Sequence, residues 1–278
     1  MVSEEIKSIN KSAREKAYLA QTKPLKYLVK GIMAGFYLSV AVILSYTLAA
    51  MTNDISPVLA KMFPAFTFSL ALVLICLLGA DLFTGNCLTM GIAYYDKKEN
   101  IGSVIKVLTL SYLGNLIGCI IIGFIFIKSG SGSNIFPSYL PKLVEAKTSM
   151  DISSLVLKGI MCNFVVCIAT YANVKLKSES AKMIAMFWLI AAFVIAGFEH
   201  SIANMGVFAI SFFTIGSLPW GEVLNNMVWV TLGNIIGGGI LYALPLYYMN
   251  KVSPKKDSEG NIIDLKEITK EEDRELVI

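Results

Sequence analysis

Charge is what this chain has least of. Asp, Glu, Lys and Arg make up 16% of its 278 residues, while 55% are hydrophobic and the mean hydropathy is +0.65. That balance excludes the one or two soluble domains that length alone would allow. Histidine occurs once, as His200, and the five cysteines (Cys76, Cys87, Cys119, Cys162, Cys167) include no CxxC pair. A single histidine without suitably spaced thiols gives no zinc site. An odd number of cysteines, all in apolar runs or at their interruption, gives no disulfide framework. They read as small packing residues. Neither GxGxxG nor GxxxxGK[ST] occurs, so no metal, nucleotide or organic cofactor is expected. The first 28 residues hold nine charges and lack the apolar core of a cleaved secretory signal, so no such signal is expected.

What the chain does have is long apolar runs. Residues 31–51, 63–79, 104–127, 152–174, 184–197 and 224–249 each come near the roughly 20 residues a helix needs to cross a bilayer. The sequence therefore predicts an all-α membrane protein with six transmembrane helices, the second and fifth broken. The tails and the 96–106 and 175–182 loops carry 19 of the 24 Lys and Arg residues, leaving only Lys61, Lys128, Lys142, Lys147 and Lys158 opposite. The positive-inside rule then places both termini in the cytoplasm of a multi-pass protein of the cell membrane. The net charge of +4 is mostly this topogenic lysine and asks for no nucleic-acid partner.

Five segments follow. Residues 1–28 place Ile6, Ile9, Ala13, Ala17 and Ala20 at helical spacing against Lys7, Lys11, Arg14 and Lys16, as an amphipathic helix along the membrane surface would; a solvated tail is the alternative. Residues 29–128 form a three-span unit, 129–151 an outer loop, and 152–250 a second three-span unit. Residues 251–278 are a cytoplasmic tail, acidic from Asp257 onward, expected to be solvated or loosely docked.

The two units repeat each other. Lys30-Gly31-Ile32-Met33-Ala34-Gly35-Phe36 returns as Lys158-Gly159-Ile160-Met161-Cys162-Asn163-Phe164, and Leu113-Gly114-Asn115-Leu116-Ile117-Gly118 as Leu232-Gly233-Asn234-Ile235-Ile236-Gly237. Gly79, Asp81 and Asn86 return as Gly197, Glu199 and Asn204. With three spans each, the second unit is inverted, a recurring plan of membrane transport proteins.

Both interrupted spans break at equivalent points. A charge at membrane depth costs roughly 2.5–3.5 kcal/mol on insertion scales, and backbone unwound there must be buried in protein or line a wet cavity. Asp81 and Glu199, with Asn86 and Asn204, are expected to be scaffold residues, the acids accepting bonds from freed N–H groups; a direct part in transport is the alternative. His200 has Leu82 as its repeat counterpart. It is either a satisfied residue capping the broken helix or a titratable group at the midplane. The glycines around Asn115 and Asn234 fit close helix approach. Asn163, a buried amide that needs partners, either faces the pathway or ties helices together.

These residues carry a family resemblance. Gly79-Ala80-Asp81-Leu82-Phe83-Thr84 resembles the second-span signature of the formate/nitrite transporter family. Cys162-Asn163-Phe164-Val165-Val166-Cys167 resembles its fourth-span signature, and Gly197-Phe198-Glu199-His200-Ser201-Ile202-Ala203-Asn204-Met205 its fifth. The match runs over roughly residues 5–250 in family order. It implies an aquaporin-like inverted repeat in the lipid bilayer, a homopentamer with one pore per protomer, and passage of small monovalent anions or their conjugate acids: formate, nitrite, hydrosulfide. It also implies that Thr84 lies on a mobile loop facing His200, that Lys147 stands near the outer mouth, and that Asn163 lines the pore. Leu82 and Phe83 would form an outer apolar constriction, and Phe68, Leu72 and Phe193 an inner one. Gly85-Asn86-Cys87 replaces the common small hydroxyl residues, which points toward the hydrosulfide-channel branch.

Two dry constrictions would stop hydrated ions, because stripping water from a charge costs several kcal/mol. A weak-acid anion has a cheaper route, crossing as the neutral acid. Lys147 and Thr84 would draw the anion in, and His200 would offer it a hydrogen bond or a proton. An ion- or proton-coupled secondary carrier is the alternative. An aquaporin-like neutral-solute channel is a weaker rival, since both breaks lack Asn-Pro-Ala. An enzyme pairing Asp81 with Glu199 is disfavoured, because equivalent repeat positions argue for a shared scaffold task.

Overall fold

The computed structural model describes residues 2–251, together with the backbone pairing of Lys255–Lys256 with Ile262–Ile263. The rest of the acidic tail lies outside the described residues. Helix α1 (Glu4–Thr22) starts where the Ser3 hydroxyl accepts from Ile6 N, the usual serine cap. Its apolar stripe is the expected one, Ile6, Ile9, Ala13, Ala17 and Ala20, but it is buried in protein instead of lipid. Ile6 and Ile9 meet Leu88 and Ile92. The three alanines meet Met90, Ala93 and Val107.

Helix α2 (Pro24–Asn53) opens on a proline, which costs nothing at a first turn whose N–H would be unpaired anyway. Helices α3 (Pro57–Thr67) and α4 (Ser69–Leu77) form one rod. After a break come α5 (Phe83–Tyr95) and α6 (Ile101–Lys128), the latter capped by Asn100, whose Oδ1 accepts from Ser103 N at 2.9 Å. The second half repeats this order with α7 (Phe136–Thr148), α8 (Ile152–Lys175), α9 (Glu179–Ile195), α10 (Ser201–Ile215) and α11 (Trp220–Ile235). Helix α11 runs through a π-helical stretch, Ile236–Tyr242, into α12 (Ala243–Met249). Thus α1 corresponds to α7, and α2 to α8. The rod α3–α4 corresponds to α9, and α5 to α10.

Among the described residues, five stretches are long and apolar enough to cross a bilayer: Pro24–Asn53, Pro57–Leu77, Ile101–Lys128, Ile152–Lys175 and Trp220–Met249. The expected span at 184–197 falls largely within α9. Its 17 residues reach about 25 Å at about 1.5 Å per residue, short of a core about 30 Å thick.

Glycines set the tightest packing. Helices α2 and α6 cross where a Cβ at Gly114 would stand 2.9 Å from Gly31 Cα, and one at Gly118 2.9 Å from Gly35 Cα. Helices α8 and α11 repeat the crossing, with Gly159 against Gly233 at 3.1 Å. A methyl group at Gly118 would also overlap the Ile32 carbonyl oxygen, and backbone cannot swing away. Gly118→Ala should cost about 1–3 kcal/mol by overpacking, seen as a lower Tm of the solubilised protein. Gly221→Ala, where nothing lies within 4 Å, is the control and should not lower Tm.

Candidate functional site

The two breaks are built alike. At the end of α4, Gly79 takes φ +71°, and Ala80 N donates to Ile75 O at 3.1 Å. At the end of α9, Gly197 takes φ +73°, and Phe198 N donates to Phe193 O at 3.2 Å. A left-handed glycine with this six-residue bond is the Schellman stop, and only glycine enters that region without strain. The chain then bonds the neighbouring helix: Asp81 N donates to Lys30 O at 3.1 Å, and Glu199 N to Lys158 O at 3.3 Å. Buried amides hold the next residues. Asn115 Oδ1 accepts from Phe83 N at 3.0 Å, while its Nδ2 donates to Gly31 O and Asp81 O, both at 2.9 Å. Asn234 Oδ1 accepts from Ser201 N at 2.9 Å, while its Nδ2 donates to Gly159 O at 2.8 Å and Glu199 O at 3.0 Å. The N–H groups freed at Phe83 and Ser201 therefore go to Asn115 and Asn234, and those of Asp81 and Glu199 to backbone carbonyls, where the side chains of Asp81 and Glu199 were expected as acceptors.

Both short helices, α5 and α10, begin at the centre of the molecule, where Thr84 Oγ1 lies 3.1 Å from His200 Nε2. A helix N-terminus carries about half a positive charge, so two of them converge on this contact. His200 is the N-cap of α10, and its Nδ1 accepts from Ala203 N at 3.2 Å. A backbone N–H can only donate, so Nδ1 is a lone pair and the neutral ring carries its hydrogen on Nε2. Nε2–H then donates to Thr84, whose own hydroxyl hydrogen stays available. Leu82 caps α5 without any side-chain bond.

Each half adds a lysine to its acid. Lys147 of α7 donates to Glu199 Oε1 at 3.1 Å and Oε2 at 3.0 Å, with side-chain exposures of 11% and 8%. Asn204 Nδ2 donates to Glu199 Oε2 at 2.7 Å and to Asn226 Oδ1 at 2.9 Å, and Asn226 Nδ2 donates to Lys147 O at 2.8 Å. In the first half Lys16 of α1 pairs with Asp81 and donates to Asn86 Oδ1 at 2.7 Å. Asn86 Nδ2 donates to Tyr27 Oη at 3.0 Å, and Tyr27 Oη donates to Asp81 Oδ1 at 3.2 Å. Lys30 stands 3.6 Å from Asp81 Oδ2. A cavity of about 460 Å³ opens beside Lys16 and Lys30, with Leu72, Leu82 and Asp81 in its wall. A smaller one, about 130 Å³, opens beside Lys147, with Phe68, Phe193, Glu199 and His200 in its wall. Phe193 lies edge-on to Phe68, ring centroids 6.1 Å apart, and stacks on His200 at 6.2 Å.

A family model described as formate/nitrite transporter matches residues 3–248. The chain belongs to the formate/nitrite transporter family. Nitrite transporter NirC of Escherichia coli (strain K12) is 34% identical over 251 residues, covering 87% of this chain and 91% of NirC. A solved structure described as an FNT family ion channel superposes with a TM-score of 0.83 at 29% identity, covering 89% of this chain and 99% of that one. A pentameric formate channel with formate bound shares the fold, with a TM-score of 0.67 at 24% identity over 81% of this chain and 96% of that one. This member of the family is thus a multi-pass membrane transport protein, and its relatives are transporters and channels, not enzymes.

In this formate/nitrite transporter the apolar walls change sides relative to the sequence expectation. Phe68 and Phe193 share the cavity of Lys147, away from the termini, and Leu82 shares that of Lys16, nearer them. Leu72 alone keeps its expected side. The cause is the path of the chain. The rod Pro57–Leu77 passes Phe68 early, overshoots the centre and returns through Gly79, so Leu82 approaches from the side of the termini. Phe193 sits in the last turn of α9, which runs the other way. Phe83 lines neither cavity and packs edge-on against Tyr112, ring centroids 4.9 Å apart.

Asn163 lines neither cavity; its Nδ2 donates to Thr84 O at 3.3 Å and Asn234 O at 2.6 Å, tying one break to the other. Sequence reasoning missed Lys16, Tyr27, Asn115, Asn226 and Asn234 as parts of the site. The repeated Gly-Asn-Leu/Ile-Ile-Gly held the signal for two of them, because a buried amide present in both halves must be bonded in both.

Proposed function

We propose that the chain passes small monovalent anions of weak acids, of the formate and nitrite class and with hydrosulfide the expected branch, through a dry gap between the two cavities. The observation that carries this is the meeting of the α5 and α10 N-termini at Thr84 and His200, between apolar walls and with one lysine cavity on each side. Positive helix ends draw a negative charge toward the gap. Leu82 on one side, and Phe68 and Phe193 on the other, keep out its water shell, whose loss costs several kcal/mol. Partial transfer of a proton to the anion removes most of that cost, which selects weak acids over chloride. NirC, a nitrite transporter, and the formate channel agree with this substrate class.

In this reading the chain makes six spans with both termini cytoplasmic, α9 and α10 forming the fifth. It assembles as a homopentamer in the cell membrane. The exposed apolar side chains Leu113, Ile117, Ile121 and Phe124 along α6 support a lipid or subunit neighbour. The test is flux in proteoliposomes with formate, nitrite, hydrosulfide, chloride and glycerol. Expected is rapid passage of the weak-acid anions and at least tenfold slower chloride. Glycerol flux without anion flux would return the aquaporin-type reading; early saturation with strict coupling to protons would make the protein a carrier.

A further inference from the structure

A depression of about 570 Å³, separate from both pathway cavities, opens on the side of the termini between α1, the turn after α5 and the end of α12. Lys11, Arg14, Lys98 and Lys251 line it, all exposed, and none of the four makes an ion pair among the described residues. Its wall also holds Asn10, only 6% exposed. Asn10 Nδ2 donates to Asp96 Oδ2 at 2.7 Å, which fixes the amide and leaves Oδ1, buried, with no donor. An orphaned buried acceptor is unfavourable until a donor reaches it.

These features define a ligand. Four cations without an ion pair among the described residues call for an anion. Glu15 and Asp96 in the same wall disfavour a highly charged one. Asn10 Oδ1 calls for an O–H or N–H on the same molecule. The level in the bilayer narrows the source. Tyr94 and Tyr248 are exposed close in sequence to Lys98 and Lys251, and exposed tyrosines next to basic residues mark the headgroup layer. The backbone bond from Ser3 N to Asn250 O, 3.1 Å, joins the start of the chain to the end of α12 beside the depression.

We propose that this depression is a headgroup site for a singly charged phosphodiester lipid bearing hydroxyls, the chemistry of phosphatidylglycerol. The phosphate lies among Lys11, Arg14, Lys98 and Lys251, and a glycerol hydroxyl donates to Asn10 Oδ1. Basic pockets at this level recognise acidic headgroups by charge; here the buried amide adds selection for a donor.

Native mass spectrometry of the full chain in detergent, with added lipid, tests this. Phosphatidylglycerol should bind at least fivefold more tightly than phosphatidylmethanol, which has the same charge and no hydroxyl. Arg14→Glu with Lys98→Glu should lower phosphatidylglycerol binding at least tenfold, with the oligomer mass unchanged. Soluble glycerophosphoglycerol at the same concentration should leave the protein unbound; equal binding would move the same chemistry to a free phosphodiester and overturn the lipid assignment. Equal affinity for the two lipids, or binding indifferent to the charge reversals, would reduce the site to general attraction and overturn it. If the charge-reversed chain does not assemble, Lys11→Gln with Lys251→Gln serves instead, with a threefold or larger loss expected.

Discussion

Lys147→Met is expected to lower the stability of the protein by about 3–5 kcal/mol, the usual cost of leaving one partner of a buried ion pair unmatched. Glu199 would remain buried with only the Asn204 amide against its carboxylate, while both bonds from Lys147 would be gone. Glu199→Gln alone should cost a comparable amount by stranding the ammonium group. The double variant should recover most of the loss, because Met and Gln fill similar space and Gln still accepts from Asn204. A thermal denaturation series on the four proteins gives the coupling directly. Additive losses would mean that the pair is not a unit. Lys147→Glu is a poor probe: it would set a second carboxylate against Glu199, and assembly should fail before flux can be read. With the double variant intact, flux isolates the contribution of the lysine charge to anion entry.

The pairing of Lys147 with Glu199 shows what the sequence does and does not reveal. The repeat and the two breaks were legible because each is written locally, in glycine, acid and asparagine at matched offsets; the opposition of Thr84 to His200 was legible only through the family resemblance. Which lysine meets which acid was not. Lys16 lies on the polar side of a helix that reads as a surface helix, and Asp81 is 65 positions away; only the fold of α1 against α5 brings them together. The repeat nonetheless held the clue, since one lysine-bearing short helix precedes each half. The apolar walls were assigned to the wrong sides for a related reason. Sequence marks a break, but not whether the rod before it stops at the centre or overshoots. Asn115 and Asn234 were read through their neighbouring glycines as packing, whereas each amide accepts one N–H freed by a break, from Phe83 and Ser201.

The remaining prediction concerns His200, whose two ring nitrogens do different work. Nδ1 caps α10 through Ala203 N, and Nε2 reaches Thr84. Each nitrogen therefore has its own partner, and substitutions can separate the cap from the contact with Thr84. Asparagine is among the best N-cap residues, so His200→Asn should keep α10 anchored. Its amide ends one atom short of the Nε2 position and loses the direct bond to Thr84. Tm should stay near that of the parent while flux of formate or nitrite falls. A lost hydrogen bond to a charged species is worth about 1.5–3 kcal/mol, which is about ten- to a hundredfold in rate. His200→Phe removes both bonds and should show the same loss of flux plus about 1 kcal/mol of stability from the missing cap. Both variants should also lose the parent's dependence on pH, measured as a ratio to the parent at each pH so that titration of the substrate cancels. Nδ1 holds the cap, so a proton can enter the ring there only by releasing Ala203 N, and relay through His200 requires that the first turn of α10 open. If His200→Asn retains the parent's rate and pH profile, the imidazole is a cap alone and the proton reaches the anion without it.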